Sequence, residues 1–176
     1  MKTNRFSSES IVATMASFVG ICALLVSIMQ THYQRKYLLA SAWPHLQTAI
    51  YRTEKKDSTK NIVTIKLMNK GIGPAIIESV AYEYEGKPIA GLDPLVKKIV
   101  GLEFSGSYKD FVRGEAIAQN EDFDYVSISG AKASRVFREA LGKIKIKIIY
   151  KSVHDEHWEY LFDLTIEDGS KTTKLD

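Results

Sequence analysis

The chain has 176 residues, with 24 Lys and Arg against 21 Asp and Glu, a net charge of +3 at neutral pH, and a single cysteine. A surplus that small excludes the dense basic footprint of a nucleic-acid binder, although it suits the neighbourhood of an anionic membrane leaflet. One thiol excludes an intramolecular disulfide framework, and the absence of any Asn-x-Ser/Thr sequon fits a bacterial protein.

Residues 1–9 read as a short polar tail. Between Glu9 and Arg35 the sequence carries no formal charge, and Ile11 to Met29 runs IVATMASFVGICALLVSIM. At about 1.5 Å per residue that run matches the roughly 30 Å of a bilayer core, so residues 10–30 are expected to form a transmembrane helix. Thr14, Ser17 and Ser27 are compatible with it, because a hydroxyl can bond back to a carbonyl one turn earlier. A cleaved signal peptide is the competing reading, with Lys2 and Arg5 as its basic start and Ala40-Ser41-Ala42 as its cleavage site. The apolar run is too long for it, and Arg35 and Lys36 stand where a short polar region belongs. A lipoprotein signal fails at Ile21, which precedes Cys22 where a small residue is needed. Ala13, Ala16, Gly20, Ala23 and Ser27 recur every three or four residues and give the helix a face of small residues, suited to close helix packing.

Residues 31–42 are expected to prolong the helix to about Leu39, until Trp43-Pro44 stops it. Tyr33, Arg35, Lys36, Tyr37 and Trp43 are candidates for the membrane interface, where aromatic rings and snorkelling cations collect. Trp43 fits equally well as a plug at the base of a folded domain.

From Pro44 the period changes to two, and residues 43–168 read as one β domain. Strands are expected at His45–Thr53, Asn61–Met68, Ile76–Tyr84, Phe111–Ala118, Phe123–Ser129, Lys143–Val153 and Trp158–Glu167. Polar turns are expected at EKKDSTK (residues 54–60), at Glu85-Gly86-Lys87-Pro88 and at His154-Asp155-Glu156-His157. The segment Asn69, Lys70, Gly71, Ile72, Gly73, Pro74 reads as a structural turn whose glycines supply positive φ. Leu92–Val100 and Ala131–Leu141 read as short helices, the second with Ala133, Val136, Phe137 and Leu141 on one face. Residues 169–176 read as a polar tail. The fold class is therefore mainly β, a transmembrane helix followed by an antiparallel β-sandwich with one or two short helices, immunoglobulin-like in outline but without the Cys…Trp…Cys signature.

The Asn69-Lys70-Gly71-Ile72-Gly73-Pro74-Ala75 segment between two strands resembles a pattern in uncharacterised small bacterial single-pass membrane proteins. The N-terminal anchor, the Trp-Pro after it, and a late Ile148-Ile149-Tyr150-Lys151-Ser152-Val153 strand before a Trp-bearing one extend the likeness over most of the chain. That resemblance implies an anchored, immunoglobulin-like domain and no activity. A weaker similarity, to membrane effectors of antiphage systems, falters on the count of helices.

No constellation favours catalysis. His154 and His157 with Asp155 and Glu156 could share a metal, but a solvated turn explains them better. Gly71-Ile72-Gly73 lacks the third glycine of a phosphate loop. Lys143, Lys145 and Lys147 alternate with isoleucines, which could meet phosphate but is also the ordinary outer face of a strand. Glu121, Asp122 and Asp124 form an acidic bend. No catalytic, cofactor-binding or metal residue is assigned, and no cofactor is expected. The reading is a non-catalytic binding or sensing module at the bacterial inner membrane. Its partners are the lipid bilayer, a protein or a second copy through the helix, and no nucleic acid. The alternative is a pore-forming effector gated by a ligand on the β domain. Arg35, Lys36, Arg52, Lys55 and Lys56 outweigh Lys2 and Arg5, which puts the domain in the cytoplasm.

Overall fold

The structure, a computed structural model, describes residues 8–53, 61–102 and 104–175, and the 54–60 turn lies outside them. The chain divides into two units, residues 1–41 and 42–176.

The described residues of the first unit form one helix, α1 (Ser8–Ser41), 34 residues and about 51 Å long. It is long and apolar enough to cross a membrane, and none of its apolar stretch is buried. The hydroxyls of Thr14 and Ser17 donate to the carbonyls of Ser10 and Ala13, and Thr31 donates to Ser27. Polar side chains thereby satisfy themselves within the helix, as an apolar surrounding demands. The helix continues past Leu39 to Ser41, the residue before Ala42-Trp43-Pro44.

The second unit is a two-sheet antiparallel sandwich. Its elements are β1 (Leu46–Thr53), β2 (Ile62–Asn69), β3 (Ala75–Tyr84), β4 (Lys87–Ile89), α2 (Leu92–Val100), β5 (Ser105–Tyr108), β6 (Ala116–Ile117), β7 (Asp122–Ser129), α3 (Ala131–Ala140), β8 (Ile144–Lys151), β9 (His157–Asp163) and β10 (Ser170–Leu175). One sheet has the order β1-β2-β7-β5 and the other β10-β9-β8-β3-β4, with β6 also pairing β3. The runs β1-β2-β7-β5 and β9-β8-β3-β4 follow the A-B-E-D and G-F-C-C′ strand orders of immunoglobulin-type sandwiches, and β10 adds an edge.

The core is one cluster fed by both sheets, including Val63, Ile65 and Leu67 of β2, Val126 and Ile128 of β7, Ile144, Ile146 and Ile148 of β8, and Trp158, Tyr160 and Phe162 of β9. Each set alternates because successive side chains of a strand face opposite ways. Two bulges break the alternation. The β3–β8 register skips Glu78, after which the inward positions change from Ala75 and Ile77 to Val80, Tyr82 and Tyr84. The β2–β7 register skips Tyr125, so Tyr125 and Val126 are both buried although adjacent.

The structure departs from the sequence expectations in five places. The Phe111–Ala118 strand shrinks to Ala116–Ile117, because Phe111 leaves the sheet edge to stack on Tyr125 at 5.5 Å. Ser105–Tyr108 is a strand without apolar alternation, held as an edge by its ladder to β7. Lys87 and Pro88 belong to β4, and only Glu85-Gly86 turns. Within the expected 169–176 tail, Ser170–Leu175 is instead a strand that pairs with β9 throughout its length. The last expected strand stops at Asp163, whose carboxylate accepts from the Thr165 backbone N–H and hydroxyl and folds the chain into a turn ending at Gly169.

Candidate functional site

The Asn69 segment is a lock around the first residues of the domain. Asn69 is fully buried, and its carboxamide uses every hydrogen-bonding position. Its Nδ2 donates to the carbonyls of Gly73 and Ile117, and its Oδ1 accepts from the backbone N–H groups of His45 and Gly71. The N–H groups of Ile72 and Gly73 both donate to Trp43 O, and Lys70 N–H donates to His45 O. Neither Gly71 nor Gly73 has positive φ, contrary to the sequence expectation. They are glycines for want of space: a Cβ on Gly71 would sit 2.4 Å from Trp43 O, and one on Gly73 2.3 Å from Ala42 O. Pro74 leads into β3. Trp43 lies over His45, with ring centroids 5.1 Å apart, and remains 41% exposed, so it does not plug the core.

The other charged features neutralise one another. Lys143, Lys145 and Lys147 reach Glu85, Asp163 and Glu159 at 2.7, 3.1 and 3.0 Å, so the lysine stripe spends its charge across neighbouring strands. In the His154–His157 turn, Asp155 pairs with Lys151, Glu156 with Lys174, and His157 lies 3.4 Å from Glu78. Among the described residues no three His, Cys, Asp or Glu side chains converge as metal ligands. In the acidic bend, Asp122 and Asp124 face Lys66 at 2.8 and 3.8 Å. Lys66 draws the Asp122 carboxyl below the usual carboxylate range, through a hydrogen bond first and its charge second.

Tyr33, Arg35, Lys36 and Tyr37 all lie on α1 with exposed side chains, as do Ala13, Ala16, Gly20, Ala23 and Ser27. Nothing within 4 Å of Gly20 would oppose a side chain there.

One concavity is lined by three arginines. At the end of the sandwich opposite Leu46, the last residues of β1 and the first of β2 face α3 across an open cleft of about 240 Å³. Arg52 sits opposite Val63 in the β1–β2 ladder, the outermost of the inward-facing positions shared by Ile50 and Ile65. Arg135 and Arg138 come from α3, three residues apart on one helix face. Ala131 and Ser134 complete that face, and Ser134 is buried beneath it. The opposite stripe of α3 packs Phe137 and Ala140 inward, and this fixes the direction in which the arginines point. Gly130, which caps α3, donates its N–H to Asn61 O at 2.9 Å and so ties the helix start to β2. Sequence reasoning passed over this cleft. The 131-134-135-138 spacing marks a polar helix face, but no local pattern brings Arg52 to it.

No protein-family model matches the chain, and no curated protein matches it.

Proposed function

We propose that the chain is a membrane-anchored, non-catalytic binding or sensing module of the bacterial inner membrane, holding its sandwich in the cytoplasm. One observation carries this reading: α1 exposes apolar side chains on every side over a charge-free stretch, while the sandwich owns a separate, closed core. An all-round apolar helix needs lipid or a partner helix to cover it. Among the described residues, charged side chains at the turns pair with one another, as the surface of a binding module does. Lys2 and Arg5 precede the helix, whereas Arg35, Lys36 and Arg52 follow it, and this favours the cytoplasmic side for the domain. The small-residue face of α1 favours pairing with a second copy or a partner helix.

Fractionation and a C-terminal alkaline phosphatase fusion test this together. The protein is expected in the carbonate-resistant membrane pellet with little phosphatase activity. A soluble protein overturns the anchor, and strong activity overturns the orientation.

A further inference from the structure

We infer that the end of the sandwich at which the chain enters it rests on the bilayer, with Trp43, Ile72 and Val153 set among the lipid headgroups. The inference rests on the anchored-module reading and extends its lipid contact from the helix to the folded domain.

Strand topology gathers these three side chains. Leu46 opens β1 opposite Asn69, the last residue of β2, so the segments holding Trp43 and Ile72 share one end of the first sheet. The Ile72 N–H donates to Trp43 O at 2.9 Å, which fixes the two segments side by side. In the second sheet Ile76, near the start of β3, pairs with Lys151, the last residue of β8. The 152–156 turn therefore lies at the same end, and Val153 belongs to it. Trp43, Ile72 and Val153 are 41%, 56% and 54% exposed. A single exposed apolar residue is ordinary, but three on separate loops of one end make a patch that marks an interaction surface.

Two features identify lipid as the cover. The first is chain continuity, because Ala42 follows directly on Ser41, the last residue of α1. The helix, about 51 Å long, outruns a bilayer of about 40–45 Å, headgroups included, by only about 6–11 Å. The usual tilt of about 20° reduces that margin further. A domain tied on so short a lead keeps its entry end near the lipid. The second feature is composition. A tryptophan and two aliphatic side chains stand with the exposed Lys70, the mixture that a headgroup layer accommodates, rings and stems inward and cations among phosphates. The carboxylates nearby have local partners: Glu121 accepts the Ala118 N–H at 2.7 Å, and Asp155 pairs with Lys151.

Spin labels on the full chain in nanodiscs test this, attached after Ile72→Cys, Val153→Cys or Leu102→Cys in a Cys22→Ser background. Leu102 is the control. It precedes β5, whose Ser105 pairs with Ser129 opposite Ile62, at the far end of β2, about 27 Å away for 8 residues. Discs carrying a nickel-chelating lipid should relax the labels at Ile72 and Val153 and leave the one at Leu102 as it is without nickel. Trp43 needs no variant, which keeps the test open should a labelled protein fail to fold. Brominated lipid should quench its fluorescence, over a constant background from Trp158, which is 4% exposed. Equal relaxation at the three positions, or an unquenched Trp43, overturns the inference. Labels at Ile72 and Val153 that are shielded from an aqueous relaxant yet untouched by the lipid nickel overturn it too, and assign this end to a second copy of the chain. The anchored-module reading fails separately, through a protein that does not enter the discs at all.

Discussion

The hydroxyls of Tyr82 and Tyr125 lie 2.6 Å apart in the core, one from each sheet. Tyr82 donates its only proton to Asp110 at 2.7 Å, so Tyr125 must donate to Tyr82. Asp110 closes the chain by accepting the Leu92 N–H at the start of α2. The two phenols are thus unequal. Tyr125→Phe removes one bond and strands no proton, at a cost of about 0.5–1.5 kcal/mol. Tyr82→Phe leaves the Tyr125 hydroxyl buried without its acceptor and should cost about 1–3 kcal/mol. Urea unfolding of the two variants checks the order, and a costlier Tyr125→Phe would reverse the assigned direction of donation.

The same pair contributes to behaviour at high pH, together with Tyr150 and Tyr160, whose phenols burial also raises. Burial pushes Tyr82 and Tyr125 above the ordinary tyrosine range, and for Tyr82 the neighbouring Tyr125 and Asp110 add to the effect. A raised pKa means that the native state keeps a proton the unfolded chain releases. Stability is therefore full below about pH 10, the unfolded value, and falls as pH rises above it. Ultraviolet titration should show these two tyrosines ionising only together with alkaline unfolding. Their ionisation in a protein that is still folded would contradict the buried arrangement.

Crowding, not φ, dictates the glycines of the Asn69 lock, and substitution separates the two causes. At Gly73, Ala must push against the Ala42 carbonyl, at a cost of about 1–3 kcal/mol, and Asn should be worse because it is larger. At Gly86 φ is 74° with open space around it, so Asn should be better tolerated than Ala. Melting temperatures of the four variants decide this, and a rescue of Gly73 by Asn would restore the positive-φ explanation.

Where apolar residues alternate without interruption, as in Ile144–Ile148, the sequence marks the strand and its inward face correctly. It fails at Glu78 and Tyr125, because a bulge inserts one residue and reverses the parity of all that follow. It fails again at Ser105–Tyr108 and Ser170–Leu175, polar edges whose strand character comes from a neighbour's backbone rather than from their own burial. The Asn69 lock is half legible: Asn, Gly and Pro announce a turn, but nothing local reveals that it closes on Trp43. The arginine cleft is less legible still, because its two walls meet only through the sandwich topology.

Ile148 is the plainest test of the legible part. It is buried between Val80 of β3 and Tyr160 of β9 in the ladder. Ile148→Ala should cost about 2–4 kcal/mol through lost transfer energy and the cavity left behind. A shift in urea midpoint no larger than that of Lys147→Ala, on the outer face, would count against that core assignment.

Asp163 should govern stability in acid. The Thr165 hydroxyl at 2.6 Å, the Thr165 N–H at 2.9 Å and Lys145 at 3.1 Å favour its ionised form and hold it below the usual carboxylate range. A depressed pKa contributes stability above the unfolded value near 4 and loses it as pH falls through the folded value. The difference between wild type and Asp163→Asn should be constant from about pH 7 to 5 and shrink below about pH 4. A difference that stays constant into acid would mean that the turn depends on shape rather than on charge.

The helix face carries the last expectation. Ala13, Ala16, Gly20, Ala23 and Ser27 fall on one side of α1, with Gly20 at their centre and nothing around it within 4 Å. Between helices in lipid there is no hydrophobic drive, so the close packing that small residues permit is a main source of attraction. Gly20→Leu keeps the segment apolar enough to insert but places a branched side chain where two backbones would meet. Leu25→Ile, away from the stripe, changes shape without changing that contact. A transmembrane association reporter should lose most of its signal in Gly20→Leu and keep it in Leu25→Ile. Equal signals from wild type and Gly20→Leu would reduce the stripe to composition, and the helix to a monomeric tether.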